Sequence, residues 1–163
     1  MKRNRLRFIL PLVVVLALIF VSSTMSYETQ DIRPLLASLP GLGLFSQTFG
    51  WVSFTYGASV ISIEALGAAG FIEFFVRKGT HVVVFAVLAF LVYRLFKGIG
   101  WTTMKSTSIT MLIGVGVATF DETRQAFHPD RSGMWQDVLL DTIGVVIGLV
   151  IAIQFYRKRG GKR

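Results

Sequence analysis

A long apolar run near the C-terminus covers residues 138–156 and reads VLLDTIGVVIGLVIAIQFY. Its only charged residue is Asp141, and a basic segment, residues 157–163, follows it directly. A helix of about 20 apolar residues crosses the hydrocarbon core of a membrane. The run does not alternate between polar and apolar residues, and lipid does not tolerate an open sheet edge. The pattern therefore predicts a transmembrane helix.

Three more segments of this kind precede it, and together they predict an all-α membrane protein with four transmembrane helices. Of the 163 residues, 53% are hydrophobic and only 16% are charged, which leaves too little polar surface for a soluble domain. The same apolar content excludes intrinsic disorder. We expect one domain over residues 1–163, and its other spans cover residues 8–25, 79–96 and 106–125.

The charged residues predict the orientation of these spans. The chain has 17 Lys and Arg, and most of them lie in three blocks, residues 2–7, 94–105 and 157–163. Because cytoplasmic loops are rich in Lys and Arg, the N- and C-termini are both predicted to be cytoplasmic. All 9 Asp and Glu then fall on the outer side or in the outer half of a span. The net charge of +8 thus reflects the Lys and Arg that set the orientation of the spans. We do not expect nucleic-acid binding.

The connection between the first two spans, residues 26–76, is predicted to be an outer-face region that is interfacial or re-entrant. Residues 54–76 are apolar enough for a fifth span, but Glu64 and Glu73 would each cost roughly 2.5–3.5 kcal/mol at the membrane centre. A fifth span would also move the basic C-terminus to the outside. Whether residues 35–76 enter the membrane stays open. The first span also resembles a signal peptide, but the three spans that follow favour an anchor.

The third and fourth spans carry matching stripes, each with small residues at the inner end and polar residues at the outer end of one helix face. Consecutive spans run antiparallel, so small residues should face small residues and polar residues should face polar ones. Close approach at Gly and Ala commonly drives helix association in lipid. The stripes are Gly114, Ala118, Asp121 and Gln125 in the third span, and Asp137, Asp141, Gly144 and Gly148 in the fourth.

Eight polar residues are expected to gather in the outer half of the membrane and to form a ligand-binding pocket. Ionisable groups at this depth usually face a bundle interior or a water-filled cavity, and their presence suggests a functional site. The cations of this pocket would meet phosphate, and Arg131 could also pair with Asp137 or Glu122. The eight residues are Lys78, His81, Asp121, Glu122, Gln125, Arg131, Asp137 and Asp141.

The segments that contain these residues resemble the VanZ-like family, and the resemblance covers roughly the second half of the chain. It implies a small multi-pass protein of the bacterial cytoplasmic membrane, with a role in the cell envelope. The family's namesake is associated with resistance to the glycopeptide antibiotic teicoplanin, and the resemblance brings no established enzymatic activity. The segments are Arg77-Lys78-Gly79-Thr80-His81, Asp121-Glu122-Thr123-Arg124-Gln125, Arg131-Ser132-Gly133 and Asp137-Val138-Leu139-Leu140-Asp141-Thr142-Ile143-Gly144.

Two positions depart from the pattern of that family. Val84-Phe85 stand where members often have Glu-Tyr, which removes a carboxylate from the neighbourhood of His81. Pro129-Asp130-Arg131 replaces the usual Pro-Gly-Arg but keeps the arginine. The first departure weakens any chemistry that a histidine and a glutamate would share.

The favoured hypothesis is that the pocket binds an anionic envelope lipid or a lipid-linked cell-wall precursor, which could affect glycopeptide susceptibility. One alternative is a membrane-embedded hydrolase or transferase that uses Asp137 and Asp141 as acid and base, although no catalytic residue is assigned. Another is a structural or partner-binding protein in which these carboxylates only pair helices. Membrane lipids are the expected partners, and the oligomeric state is not predicted.

A divalent metal ion is chemically acceptable in this pocket, because imidazole and carboxylates are suitable ligands. The spacing of these residues in the sequence is not diagnostic of a metal motif. The sequence has no cysteine, which excludes a disulfide framework and thiolate ligands. We therefore predict neither a metal nor a cofactor. The candidate ligands are His81, Glu122, Asp137 and Asp141.

Overall fold

The computed structural model of the protein describes residues 2–129, 131 and 133–160. Two residues named above, Asp130 and Ser132, lie outside the described residues, as do residues 161–163 of the basic C-terminal segment. Most of the described chain is helical. The elements in chain order are α1 (Lys2–Thr24), a 3-10 helix (Glu28–Gln30), α2 (Arg33–Ala37), α3 (Leu42–Phe49), β1 (Ser53–Tyr56), β2 (Ser59–Ser62), α4 (Ile63–Gly98), α5 (Thr103–Ala126) and α6 (Trp135–Gly160).

Three of the described helices contain segments that are long and apolar enough to cross a membrane, namely Leu6–Thr24, Ile63–Gly98 and Trp135–Lys158. The fourth predicted span, residues 106–125, is helical within α5 but is not among these candidates. Its hydropathy is lower because α5 carries several Ser and Thr residues and ends in a charged segment. The mostly helical fold with membrane-type helices is confirmed, while the count of four spans and their orientation stay predictions.

A short hairpin departs from the predicted all-α fold. β1 and β2 pair antiparallel, with Ser53 opposite Ser62 and Tyr56 opposite Ser59. Gly57 has a φ of 60° and takes the first position of the two-residue turn, where glycine is favoured. Lipid excludes open strand edges only from segments that cross it. This exclusion does not apply to two four-residue strands that pair with each other outside any predicted span.

α4 begins at Ile63, well before the predicted start of the second span at Gly79. Its first turn is capped, because Ser62 Oγ accepts the backbone N–H of Ala65 at 3.1 Å. Gly67 interrupts the regular helix with a φ of 69°, which residues with a Cβ rarely adopt. The segment that precedes the predicted span is therefore helical, although it belongs to the region that we predict to be interfacial or re-entrant.

The chain divides into two compact units. Residues 25–80 form the connecting unit, and residues 1–24 together with residues 81–163 form the bundle unit. The core of the bundle unit contains buried side chains from α1, α4, α5 and α6. Its largest fully buried apolar and aromatic members are Tyr93, Phe85, Leu88, Val92 and Val145.

Contacts between helices define two opposite ends of the bundle unit. At one end, the Phe8 ring occupies the space next to Gly98, and the rings of Tyr93 and Tyr156 are 5.8 Å apart. At the other end, Arg124 of α5 donates a hydrogen bond to the C-terminal part of α1. α1 therefore starts, and α6 finishes, at the same end of the bundle unit, as two termini on one side of a membrane require.

The connecting unit is built around a buried carboxylate and a group of aromatic rings. Glu73 is 1% exposed and accepts hydrogen bonds from the Tyr27 hydroxyl and the Ile32 N–H, both at 3.4 Å. Arg33 Nε lies 3.6 Å and Arg77 Nη1 lies 4.0 Å from its carboxylate oxygens. The rings that pack with one another in this unit are Phe45, Phe49, Phe54, Tyr56, Phe71, Phe74 and Phe75.

Candidate functional site

Seven of the eight residues of the predicted pocket belong to the bundle unit. Six of them, all but Arg131, are the polar side chains near the end where α5 finishes and α6 begins. All six except the histidine are buried. Carboxylates outnumber the one imidazole, so the group is acidic and can accept hydrogen bonds or coordinate a cation. We call it the polar cluster, and it consists of His81 from α4, Asp121, Glu122 and Gln125 from α5, and Asp137 and Asp141 from α6.

A hydrogen bond links α4 to α6 inside the polar cluster. His81 Nδ1 lies 3.2 Å from Asp141 Oδ1. The Asp141 side chain is fully buried, whereas that of His81 is 32% exposed. The second oxygen of Asp141, Oδ2, is buried and has no hydrogen-bond partner among the described residues. An oxygen in this position carries a desolvation cost that no hydrogen bond from the described residues offsets.

The amide of Gln125 connects two carboxylates of α5. Its Nε2 donates to Asp121 Oδ2 at 2.9 Å and to Glu122 Oε1 at 3.3 Å. This is possible because residues three and four positions apart are neighbours on a helix surface. Glu122 Oε2 also accepts the backbone N–H of Met134 at 3.0 Å. Since Met134 immediately precedes α6, Glu122 ties the beginning of α6 to the end of α5.

Gly133 allows the loop before α6 to pass close to α5. A Cβ at this position would overlap the carbonyl oxygen of Glu122 and would lie 2.7 Å from the backbone nitrogen of Ala126. Any other residue would push the loop away and would weaken the hydrogen bond from Met134. The glycine of the Arg131-Ser132-Gly133 segment is therefore a packing requirement of the site.

The glycines of α6 bring α4 close to the polar cluster. A Cβ at Gly144 would lie 2.5 Å from the carbonyl oxygen of Val82, and a Cβ at Gly148 would also meet the α4 backbone. Small residues permit such an approach of two helix backbones. Because Val82 directly follows His81, and Gly144 lies one turn after Asp141, the same approach sets the imidazole beside the carboxylate.

The packing partner of these glycines differs from the prediction. The nearest neighbours of the α6 glycines are on α4, while Gly114 of α5 meets the side chain of Val145. The expected pairing of small residues between α5 and α6 is thus wrong, because a valine of α6 fills the space at the α5 glycine. The two helices are antiparallel as predicted, since Gly114 meets Val145 and Glu122 meets Met134. Ala118 is fully buried within the same core.

The predicted cations Lys78 and Arg131 both have identified contacts. Lys78 belongs to the connecting unit, where its ammonium lies 4.7 Å from the centroid of the Tyr56 ring. Arg131 donates to the backbone carbonyl of Ser22 at 3.1 Å. Arg124, which the sequence did not single out, donates to another carbonyl of α1 at 2.7 Å. Both arginines thus contact the C-terminal part of α1, where the helix dipole favours cations.

Comparison with known protein families identifies the chain. A family model described as VanZ/LLP1 matches residues 8–156. The chain belongs to the VanZ/LLP1 family. This match confirms the resemblance and extends it to the first span and the connecting unit, and together with the three apolar helices it indicates a membrane protein. No curated protein and no solved structure gives a significant match.

An apolar cavity between α1 and α5 is a feature of this VanZ/LLP1 protein that the sequence does not predict. Its volume is about 460 Å³, and Asp121 of the polar cluster is the charged residue in its lining. Apolar residues on two separate helices form no pattern specific for a cavity, so the sequence offers no direct signal for it. The apolar lining residues are Val13, Leu16, Ala17, Ile19, Phe20, Val21, Val117 and Phe120.

Proposed function

We propose that this VanZ/LLP1 protein binds a lipid-linked cell-wall precursor, or a related anionic envelope lipid, at the outer face of the bacterial cytoplasmic membrane. The termini would then be cytoplasmic. The observation that carries this proposal is that Asp121 belongs both to the polar cluster and to the lining of the apolar cavity. An amphiphilic ligand needs these two environments next to each other, one for its chain and one for its headgroup.

The apolar cavity supports a chain-like occupant. Its volume of about 460 Å³ lies within the range of pockets that bind small molecules. In a membrane the chain of a lipid is already surrounded by hydrocarbon, so the cavity adds little hydrophobic free energy. It contributes shape and position instead, because it holds the chain against α1 and α5 and directs the headgroup toward Asp121.

The acidic polar cluster favours a headgroup that donates hydrogen bonds. Carboxylates accept such bonds, and the hydroxyl and amide groups of a sugar or a peptide supply them. A simple anionic headgroup offers fewer such donors. Arg131 lies near the end of α1 and is the candidate contact for a phosphate oxygen. For these reasons we favour the lipid-linked precursor over a simple anionic lipid, and an effect on glycopeptide susceptibility would follow from its capture.

The test is recovery of the precursor with the purified protein from nanodiscs, quantified by native mass spectrometry. We expect Arg131→Ala to reduce recovery, whereas Arg157→Ala, which removes an exposed arginine beyond the fourth predicted span, should not. Ala17→Phe should fill the cavity and reduce recovery, while Leu18→Phe adds a ring to α1 outside the cavity and should have no effect. Equal recovery by wild type and Arg131→Ala would contradict the proposal.

The contact between His81 and Asp141 favours the enzyme as a second candidate function. A buried carboxylate that orients an imidazole is a common arrangement in acid–base catalysis. A membrane-embedded hydrolase or transferase would use this pair rather than two neighbouring carboxylates. Asp141→Asn should then abolish turnover of the lipid substrate while folding and lipid binding are retained. Unchanged turnover in this variant would rule out an essential catalytic role for Asp141.

A further inference from the structure

We propose that His81, Glu122 and Asp141 form a binding site for one divalent transition-metal ion. Each residue comes from a different helix of the bundle unit, and each offers a ligand atom within 4.8 Å of the other two. All three are among the four candidate ligands that the sequence offers, but residues 41 and 19 positions apart form no recognisable spacing motif, so the sequence alone did not predict a metal ion. The proposal does not depend on the binding of a lipid.

The separation of two of the donor atoms already suits a shared ion. Ligand atoms about 2.0–2.2 Å from one metal ion, at tetrahedral or octahedral angles, lie roughly 3–3.5 Å from each other. His81 Nδ1 and Asp141 Oδ1 are 3.2 Å apart. A ligand atom of Glu122 lies within 4.8 Å of both residues, so its carboxylate would close in by roughly 1.3–1.8 Å through a change in its side-chain torsion angles.

The unpartnered oxygen of Asp141 is the second observation that points to a ligand. Its Oδ2 is buried and accepts no hydrogen bond from the described residues, although the side chain is fully removed from solvent. Buried carboxylates persist when they are paired or when they coordinate a metal ion. A cation between Asp141 and Glu122 would compensate the charge of these two carboxylates, of which Asp141 contacts His81 and Glu122 receives only neutral donors.

The residues around the three ligands are arranged to hold them. Glu122 receives one hydrogen bond on each oxygen, from Gln125 and from the N–H of Met134, and each oxygen keeps a lone pair for a metal ion. Gln125 is itself held by Asp121. Such outer hydrogen bonds orient metal ligands and raise their affinity. Three protein ligands leave at least one coordination position for a water molecule or a phosphate oxygen.

One imidazole and two carboxylates suit Zn²⁺, Mn²⁺ or Fe²⁺, and the lack of cysteine in the sequence excludes thiolate ligation. The test uses Zn²⁺ alone. The full-length protein, carried on an affinity tag without histidine, is placed in phosphatidylcholine nanodiscs, treated with EDTA and dialysed against Zn²⁺. We expect one equivalent of zinc per chain by elemental analysis.

Variants assign the ligands. Asp141→Asn and Glu122→Gln should lose stoichiometric zinc, and Gln125→Leu, which removes an orienting amide, should weaken affinity about 10–100-fold. Glu73→Gln is the matched control, because it neutralises a buried carboxylate of the connecting unit, and it should retain one equivalent. Thermal unfolding of each variant separates loss of the ligand from loss of the fold.

A spectroscopic measurement decides the proposal even if Asp141→Asn fails to fold. The chain has 2 histidines, His81 and His128. Pulsed electron paramagnetic resonance of the Cu²⁺-loaded protein should detect one coordinated imidazole, because Cu²⁺ binds such sites most tightly. The nitrogen signal should vanish in His81→Gln and persist in His128→Gln. Wild type without stoichiometric zinc, or a signal unaffected by His81→Gln, would overturn the proposal.

These measurements are made without precursor lipid, and precursor recovery can be repeated in EDTA. A protein that binds zinc but recovers no precursor would keep the metal site and lose the proposed function. A protein that recovers precursor but binds no zinc would keep the proposed function and lose the metal site.

Discussion

The connecting unit and the bundle unit each bury a carboxylate, but they surround it differently. Glu73 of the connecting unit receives a tyrosine hydroxyl and a backbone N–H and has two guanidinium groups nearby. Asp141 of the bundle unit contacts one imidazole, and its Oδ2 has no hydrogen-bond partner in the described part of the chain. A compensated buried charge is typical of structural groups, whereas a poorly compensated one is a candidate for function. The bundle unit therefore holds the carboxylate that is better suited to bind a ligand.

The largest effect is expected for Gly148→Leu, which tests how the bundle unit forms its polar cluster. A Cβ at Gly148 would overlap the carbonyl oxygen of Ala86, so a leucine must force α6 away from α4. We expect a loss of about 3 kcal/mol or more in the free energy of unfolding. Denaturant-induced unfolding in micelles, followed by tryptophan fluorescence, measures it.

The matched control for this variant is Gly116→Leu, because a Cβ at Gly116 meets nothing within 4 Å. Its unfolding free energy should stay within about 1 kcal/mol of wild type. If Gly148→Leu unfolded like wild type, close approach of α4 and α6 would not be the basis of the polar cluster.

The next largest effect is expected for Glu73→Gln, which removes the charge but keeps the shape. Arg33 and Arg77 would lose their shared counterion, and breaking a buried ion pair is costly. Water offsets part of this cost, because the two arginine side chains are 50% and 22% exposed. We expect a loss of about 1–3 kcal/mol in the same unfolding measurement.

A smaller effect on stability is expected for Asp141→Asn. The amide is easier to bury than a carboxylate with an unpartnered oxygen. The free energy of unfolding should therefore change by less than about 1 kcal/mol or increase. Zinc binding and any turnover should be lost at the same time. A loss of stability as large as that of Glu73→Gln would break the comparison, because both carboxylates would then be structural.

The smallest effect is expected for a partly exposed carboxylate of the connecting unit. Hydrogen bonds from Arg33 lower the pKa of Asp31 from 3.8 to about 2. A pKa that is lower in the folded state means that the contribution to stability is present above about pH 4 and is lost as the pH falls toward 2. Wild type and Asp31→Asn should therefore differ slightly in unfolding midpoint at pH 6 and converge near pH 2. An equal difference at both values would contradict this assignment.

Local patterns account for the part of the fold and site that the sequence predicted. The apolar runs bounded by charged residues placed helices at residues 8–25, 79–96, 106–125 and 138–156, and each of these ranges is helical except for Met25. Helix periodicity also selected four of the five buried members of the polar cluster, whereas Glu122 was included for its place in the outer half of its span. The hairpin of β1 and β2 was missed because its strands are four residues long, too short for a strand pattern.

The contacts of Arg131 and Arg124 with α1 were not predicted, because their acceptors are backbone carbonyls and carry no side-chain signal. The apolar cavity likewise depends on the space that two helices leave between them.

By itself, the sequence determined the helical segments, the family motifs and the polar residues on each buried face. These properties are encoded within single segments, where hydrophobic periodicity and residue type suffice. The tertiary structure alone decided that the glycines of α6 meet α4, and that His81 therefore lies beside Asp141, 60 positions further along the chain. Such pairings depend on how each helix is rotated and how closely the backbones approach. Both follow from the complementary shapes of distant segments, which no local pattern records.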